Sequence, residues 1–459
     1  MHRKSVILIL LAAVVFAVAA TLASRRGPSP MAVRSQWSSR PNVVLIIIDT
    51  LRQDKLGSYG FPKATSPELD FMAERGVRFD RVIAQSSWTR PSIGSLLTSQ
   101  YPRTLGIYKE KDQVLADDFV TLAEALQGAG YTTLGATANA NINTSFNFDQ
   151  GFDNYVDSTV LLRWMRDSDG ATPHGEQTLQ SARQIFDSLL AQAQEHGSPP
   201  YYLQANVMEV HEHHDERMDL SDYEAPFSGQ PSSRYLAAIR LVSAEIERFR
   251  IALSALPGFE RTLFVIVSDH GEGLSDHAPV EDSAGHGRLL YESQVLVPLI
   301  LYATDDSLPR GKVVATPSRL LDLMPTLLDY LGLDTPTGIA GTSMMGAVDN
   351  LEPPHLPEHF VAETELRSSD VAAIYGPGWE YIEHRAPHAG TDPRELQDPR
   401  RTERGTKTNQ LEAHPEVGVA LQAYLQEWET AHPKADPTAP AKPLRGLEEE
   451  QLRALGYLD

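Results

Sequence analysis

The sharpest contrast along the chain lies at its start. Residues 6–24 (VILILLAAVVFAVAATLAS) carry no charge, with His2-Arg3-Lys4 before them and Arg25-Arg26 after. As a helix the run would span about 28 Å, close to the ~30 Å hydrocarbon thickness of a bilayer. Two export readings fit. One is a signal peptide cleaved at a small-residue site such as Ala17-Val18-Ala19; the other is an uncleaved transmembrane anchor. Both predict an extracytoplasmic chain (periplasm or cell envelope), membrane-anchored or secreted. Residues 25–41 are Pro/Ser-rich and read as a linker.

Beyond the linker, apolar runs alternate with helical patterns. Asn42–Asp49 is continuously apolar and rich in β-branched residues up to its last position, as a strand buried on both faces requires. Further runs of this kind are Val77–Ala84, Tyr131–Thr137, Tyr201–Val207, Leu263–Val267 and Pro298–Tyr302. Between them the pattern predicts helices over 92–98, 118–129, 175–196, 233–256 and 317–331. Another begins at Pro67, with Ser66 as its N-cap. This alternation predicts an α/β fold, a mostly parallel sheet with helices on both faces and its active site at the carboxyl ends of strands. From residue 346 the apolar stretches shorten. Tyr375–His384 predicts a small antiparallel piece, and 416–432 a helix. Residues 433–443 form a Pro/Ala linker, and the last fifteen or so residues resemble a docking helix. The expected domains are therefore 1–24, 25–41, a catalytic domain over 42–345, and a C-terminal α+β subdomain over 346–459.

Composition narrows the chemistry. The 459 residues carry 40 Lys+Arg against 61 Asp+Glu, a formal charge of −21, and no cysteine. The missing cysteine excludes disulfides, thiolate metal sites, iron–sulfur clusters and a cysteine nucleophile. The charge argues against nucleic acid as a partner, but a bound cation can reverse the local field and admit a small anion.

Two strands end in ligand-type residues: Asp49 after one, Asp269-His270 after another. Buried, such groups need neutralising, and a divalent cation at a mixed O/N site would do so. The alternative is that Asp49 caps a helix and Asp269 forms an ion pair. In Ser87-Trp88-Thr89-Arg90-Pro91-Ser92 a hydroxyl stands at an expected helix N-terminus, where free N–H groups favour an alkoxide or an incoming anion. Thr89 or Ser92 could equally be an ordinary N-cap.

Together, PNVVLIIIDTLRQDKLGSYG, TSPELDFMAERGVRFD, TRPSIGSLLTSQYP, SDHGEG, GHGRLLYESQVLVPLI and DLMPTLLDYLGL resemble, in order and spacing, the sulfatase family of the alkaline phosphatase superfamily. The resemblance covers residues 41–345. It implies an alkaline-phosphatase-like fold and one divalent metal ion (Mn, Zn, Mg or Ca) held by Asp49, Thr89, Asp269 and His270. Thr89 stands at the family's nucleophile position. His211, in Met-Glu-Val-His, and His286, in Gly-His-Gly, match family histidines that hold the substrate anion, protonate the leaving group or complete a second metal site. His277 matches less closely, as a residue behind the site. His213, His214, Glu212 and Asp215 read as a solvated loop.

The chain also departs from the family pattern. Sulfatases use a formylglycine made from Cys or Ser in a C/S-x-P-x-R motif. Here Thr89 replaces that residue, and oxidation of its secondary alcohol would give a ketone. Ile93 replaces the Arg, Gly287 a Lys, and the stretch Gly135–Ala140 lacks a second Lys. Thr with Asp-His at the metal resembles the superfamily's phosphoglycerol and phosphoethanolamine transferases and phosphodiesterases. The leading expectation is a hydrolase or transferase cleaving a phosphoester of a small molecule, lipid or glycan. The alternatives are sulfuric ester hydrolysis and a non-catalytic binding protein. Specificity is expected from loops 103–117, 138–170 and 211–232. Trp379 and Tyr381 are candidates for a cleft wall, with core packing as the competing role.

Overall fold

The computed structural model describes residues 29–109, 113–157, 181–196, 199–351, 354–398 and 409–436. The expected export segment 1–24, residues 158–170 of the loop 138–170, the start of the expected helix 175–196 and the expected terminal helix lie outside the described residues. Among the described residues, no helix is long and apolar enough to cross a membrane. Residues 30–37 of the expected linker do not hang free. A short helix, Pro30–Arg34, leads to Arg34, which pairs with Asp349, and Trp37 packs edge-on against Tyr330.

Among the described residues, the larger of two sheets has nine strands. Its strands are β1 (Asn42–Ile48), β2 (Val77–Ile83), β3 (Thr132–Thr137), β4 (Asn154–Val156), β5 (Tyr201–Val207), β6 (Thr262–Val267), β7 (Leu296–Ala303), β8 (Lys312–Val314) and β9 (Ser318–Arg319). The order is β4-β3-β5-β1-β6-β7-β2-β8, with β9 also on β2. β1 lies between β5 and β6, parallel to both. Only β7 runs against its neighbours β6 and β2. A buried strand has the same apolar texture in either direction, so this reversal left no mark in the pattern.

β1 is buried at every position, and its side chains alternate between two cores. Val43, Leu45 and Ile47 face α2 (Thr89–Thr98), α3 (Leu122–Gly128) and α6 (Leu323–Tyr330). Val44, Ile46 and Ile48 face α1 (Pro67–Arg75), α4 (Ala182–His196) and α5 (Ser233–Leu253). Three expected helix limits shift for local reasons. α3 starts late because Thr121 and Glu124 form a reciprocal capping box. The expected helix 317–331 gives up its first turns to β9 and a 3-10 turn, where Asp322 bonds the Arg319 backbone and guanidinium. α2 starts at Thr89, with Trp88 as N-cap, so neither Thr89 nor Ser92 caps it.

The C-terminal subdomain is an antiparallel meander of β10 (Phe360–Thr364), β11 (Val371–Tyr375), β12 (Glu380–His384) and β13 (Arg394–Gln397). One face, with Val361, Ile374, Tyr381 and Leu396, packs on Leu421, Leu425 and Trp428 of α7 (Pro415–Ala431). The other, with Phe360, Ala362, Ala373 and Ile382, joins the catalytic core. Arg103, almost wholly buried, pairs with Glu363 and Glu429 across the same junction. Tyr381 is fully buried and Trp379 packs on His414, so both take the core-packing role.

Candidate active site

The site is assembled at the carboxyl ends of adjacent central strands. Asp49 follows β1 and Asp269-His270 follow β6; all three are fully buried. Thr50, at φ +59, takes a left-handed turn that costs a β-branched residue about 1–3 kcal/mol. The turn aims the Thr50 N–H at Asp269 Oδ1, 3.3 Å away, and Tyr235 donates to the Thr50 carbonyl at 2.7 Å. Gly271 lies where a Cβ would overlap the Ser293 carbonyl, so a glycine is needed for the chain to leave β6.

Thr89 opens α2 with its Oγ1 3.5 Å from both Asp49 Oδ2 and His270 Nε2. His270 Nδ1 donates to the Gly271 carbonyl at 2.9 Å, which turns the Nε2 lone pair toward the carboxylates. His270 Nε2 stands 3.7 Å from Asp49 Oδ1 and 3.5 Å from Asp269 Oδ2. Ligand atoms of Asp49, Asp269 and His270 lie within 4.8 Å of one another. Among the described residues, Asp49 Oδ1 and Asp269 Oδ2 are buried without a hydrogen-bond donor. Burial, with the Asp49 charge beside it, pushes the Asp269 carboxyl well up. Burial also raises Asp49, against the opposing His211, His286 and Asn139, and pushes His270 well down. Two orphaned acid oxygens facing an imidazole lone pair are a donor set suited to a hard or borderline divalent ion.

The other expected histidines converge on this cluster. The His286 ring lies 4.6 Å from that of His270 and 5.0 Å from that of His211. Each is held by a carboxylate: His286 Nδ1 by Glu272 at 3.0 Å, His211 Nδ1 by Glu212 at 3.1 Å. Burial alone would lower the His211 pKa, but the Glu212 bond and the Asp49 charge bring it up to about 9. Glu212 therefore leaves the solvated cluster to which the sequence assigned it. His213 packs edge-on against Tyr235, and Asp215 pairs with Arg217. His277 stacks on Tyr291 at 3.9 Å. Ser92 Oγ donates to the Asp269 carbonyl at 2.6 Å, bracing α2 against the end of β6.

Sequence reading missed Asn139. Its Nδ2 lies 2.7 Å from Asp49 Oδ2 and 3.4 Å from Thr89 Oγ1, and its Oδ1 accepts from the Asn141 N–H. Asn141 in turn accepts from Arg90, which lies over the Phe146 ring. The one signal available was the Asn139-Ala140-Asn141-Ile142-Asn143 repeat after a strand end.

Glu209, two residues before His211, is buried; one oxygen accepts the Ala182 N–H at the start of α4 and the other has no donor. Burial raises its pKa from 4.5 to about 7 despite that bond. The folded pKa lies above the unfolded one, so the folded state binds the extra proton. The contribution to stability is full below the unfolded value near 4.5 and is lost as pH rises through about 7. Denaturant titrations at pH 5 and pH 8 are expected to differ by about 1–3 kcal/mol from this group, less stable at pH 8, with Glu209→Gln flattening the difference.

The family model for sulfatases matches residues 41–333. An arylsulfatase of Clostridium perfringens is 23% identical over 383 residues, covering 68% of this chain and 79% of the relative. An ulvan-active sulfatase of Formosa agariphila is 24% identical over 380 residues, covering 76% and 71%. Among solved structures, the phosphonate monoester hydrolase of Agrobacterium radiobacter superposes with a TM-score of 0.68 at 19% identity, covering 86% of this chain and 96% of that one. The fold is that of the alkaline-phosphatase-like class. Within that class, the chain belongs to the sulfatase family. Members act on sulfate or phosphonate esters, and the chain is an enzyme of this ester-hydrolase kind.

Proposed function

We propose that this chain is an extracytoplasmic, metal-dependent hydrolase or transferase that cleaves a phosphoester through Thr89. The observation that supports it is the Thr89 hydroxyl at the N-terminus of α2, equidistant from Asp49 and His270 beside two undonated carboxylate oxygens. Asp49, Thr89, Asp269 and His270 would hold the divalent ion. When bound, it would neutralise the acids and lower the pKa of the Thr89 hydroxyl. Thr89 loses its hydroxyl proton to solvent and its Oγ attacks phosphorus in line; the Oγ–P bond forms as the bond to the leaving oxygen breaks. The α2 N-terminus stabilises charge on the equatorial oxygens, and the Asn139 amide, within reach of Asp49 Oδ2 and Thr89 Oγ1, orients the attacking oxygen. His211 or His286 supplies the proton that the leaving oxygen takes. Water or an acceptor hydroxyl then attacks phospho-Thr89 and frees the side chain.

A sulfate ester is the second reading, supported by the names of the curated relatives. Thr89 cannot yield the aldehyde of a formylglycine, which favours phosphorus. The extracytoplasmic setting rests on the basic and apolar residues 2–26. The substrate would be a small-molecule, lipid or glycan ester.

The deciding experiment assays purified protein with an aryl sulfate, an aryl phosphate monoester and an aryl phosphodiester, with Mn, Zn, Mg and Ca varied. Faster turnover of a phosphoester is expected; clear preference for the sulfate overturns the reading. Asn139→Ala is expected to lower kcat on the order of 10²-fold with KM little changed, as loss of a donor aimed at the reacting centre does. Steady-state kinetics on the preferred substrate checks this.

A further inference from the structure

His286 stands on a connection with no regular structure of its own. From Ser268 to Tyr291 the chain forms neither helix nor strand. A connection this long inside a compact domain is usually functional, and a stretch without regular structure is by itself a poor mount for a group that must be placed within about 0.5 Å. Within the loop, Glu272 holds the His286 ring. The backbone before His286 is braced within the loop, where the Gly273, Leu274 and Ser275 N–H groups donate to the Gly285, Ala284 and Ser283 carbonyls; after His286 it is held from outside, by the C-terminal subdomain.

The contacts are specific. The Gly287 carbonyl accepts from Thr364 Oγ1 at the end of β10. Gly287 has φ +86, and the Leu366 side chain fills the place of its missing Cβ, with Trp88 behind at 3.3 Å. Arg288 makes a three-way tie: Nη1 to Asp282 at 2.6 Å within the loop, Nη2 to Ser368 Oγ at 3.0 Å, and Nε to Ser369 Oγ at 3.4 Å. Ser369 is buried and also bonds His388 Nε2 at 2.9 Å. On the far side of the loop, the Glu281 N–H donates to the Ala389 carbonyl at 2.9 Å. Residues on both sides of His286 are thus fixed to the β10–β11 turn and to the chain between β12 and β13.

We propose that the C-terminal subdomain is the positioning element of His286, and that Arg288 and Ser369 are its positioning residues. The inference rests on the reading of His286 as a participant in ester cleavage. Neither residue touches the reacting atoms; the pair fixes the backbone from which His286 projects. A guanidinium suits this task because its planar fork binds a carboxylate and two hydroxyls at once, which an ammonium on a flexible stem does not.

A double-mutant cycle on the full chain, loaded with its divalent ion, tests it. Arg288→Gln and Ser369→Ala are each expected to lower kcat on the order of tenfold on the preferred aryl ester, with KM within about twofold. The loss should grow as the leaving group becomes more basic, following His286→Ala in direction. In a His286→Ala background, the same two substitutions should cost little more, because there is no ring left to place. Thermal midpoints and metal content identify a variant that fails to fold; Ser369→Ala, which deletes a single oxygen, is the milder probe. If His286→Ala impairs turnover while Arg288→Gln and Ser369→Ala do not, or if their effects simply multiply with it, the positioning role is wrong. If His286→Ala turns over like the parent, the reading of His286 under the proposed function fails, and this inference falls with it.

Discussion

Thr89→Ala is expected to abolish turnover, on the order of 10⁴-fold or more, while divalent ion content and thermal midpoint stay close to those of the parent. The side chain is fully buried, and its hydroxyl reaches Asp49 and His270 from α2. Alanine keeps the helix start, since Trp88 and not Thr89 is the N-cap. Two acids and an imidazole remain as ligands. Thr89→Ser should keep a measurable fraction of the rate, because it preserves the hydroxyl and removes only a methyl group. Full activity in the alanine variant would take the nucleophile role away from Thr89. A phosphorylated Thr89, trapped by rapid acid quench and located by peptide mass, would establish that role directly.

Removing the divalent ion should have the second largest effect, on stability as well as rate. Asp49 and Asp269 are both fully buried, and each has an oxygen without a donor. At a free ion concentration about 100 times its Kd, binding contributes about 2.7 kcal/mol. For a chain of this size, that predicts a fall of several degrees in thermal midpoint on chelation, reversed by adding the ion back. Asp269→Asn gives the sharper version. In chelated protein it should raise the midpoint, because it removes a carboxyl whose ionisation burial disfavours. It should also erase the response to added ion. If Asp269 were simply one half of an ion pair, the same substitution would lower the midpoint of the chelated protein. Calorimetry with and without chelator separates the two.

What the sequence disclosed follows from where each signal resides. The apolar runs of β1, β5 and β6 and the acids that end β1 and β6 are local features, and they fold as local patterning predicts. Thr89 was legible as a hydroxyl at a helix start, though its place one residue past the cap was not. His211 and His286 stood out only through resemblance, since nothing in Glu-Val-His or Gly-His-Gly says that the two rings meet 5.0 Å apart. Asn139, Glu272 and Glu212 were unreadable for the same reason: their roles are contacts with residues distant in sequence or with a neighbour whose orientation the fold decides. The direction of β7 and the short strands β4 and β8 were lost to a further cause. Three residues are too few to show a period, and a strand buried on both faces has none.

The central place of β1 has a consequence for how the protein comes into being. Its neighbours begin at Tyr201 and Thr262, so neither side of β1 can pair until most of the catalytic domain has left the ribosome. The Thr50 contact with Asp269 spans 219 residues of chain. Folding dominated by such distant pairings is slow and leaves apolar strands exposed meanwhile. A chain with this register leaves β1 unpaired, and open to a holding chaperone, until β5 has emerged. The cluster of Asp49, Asp269 and His270, made from the two ends of that span, cannot assemble before β6 has emerged.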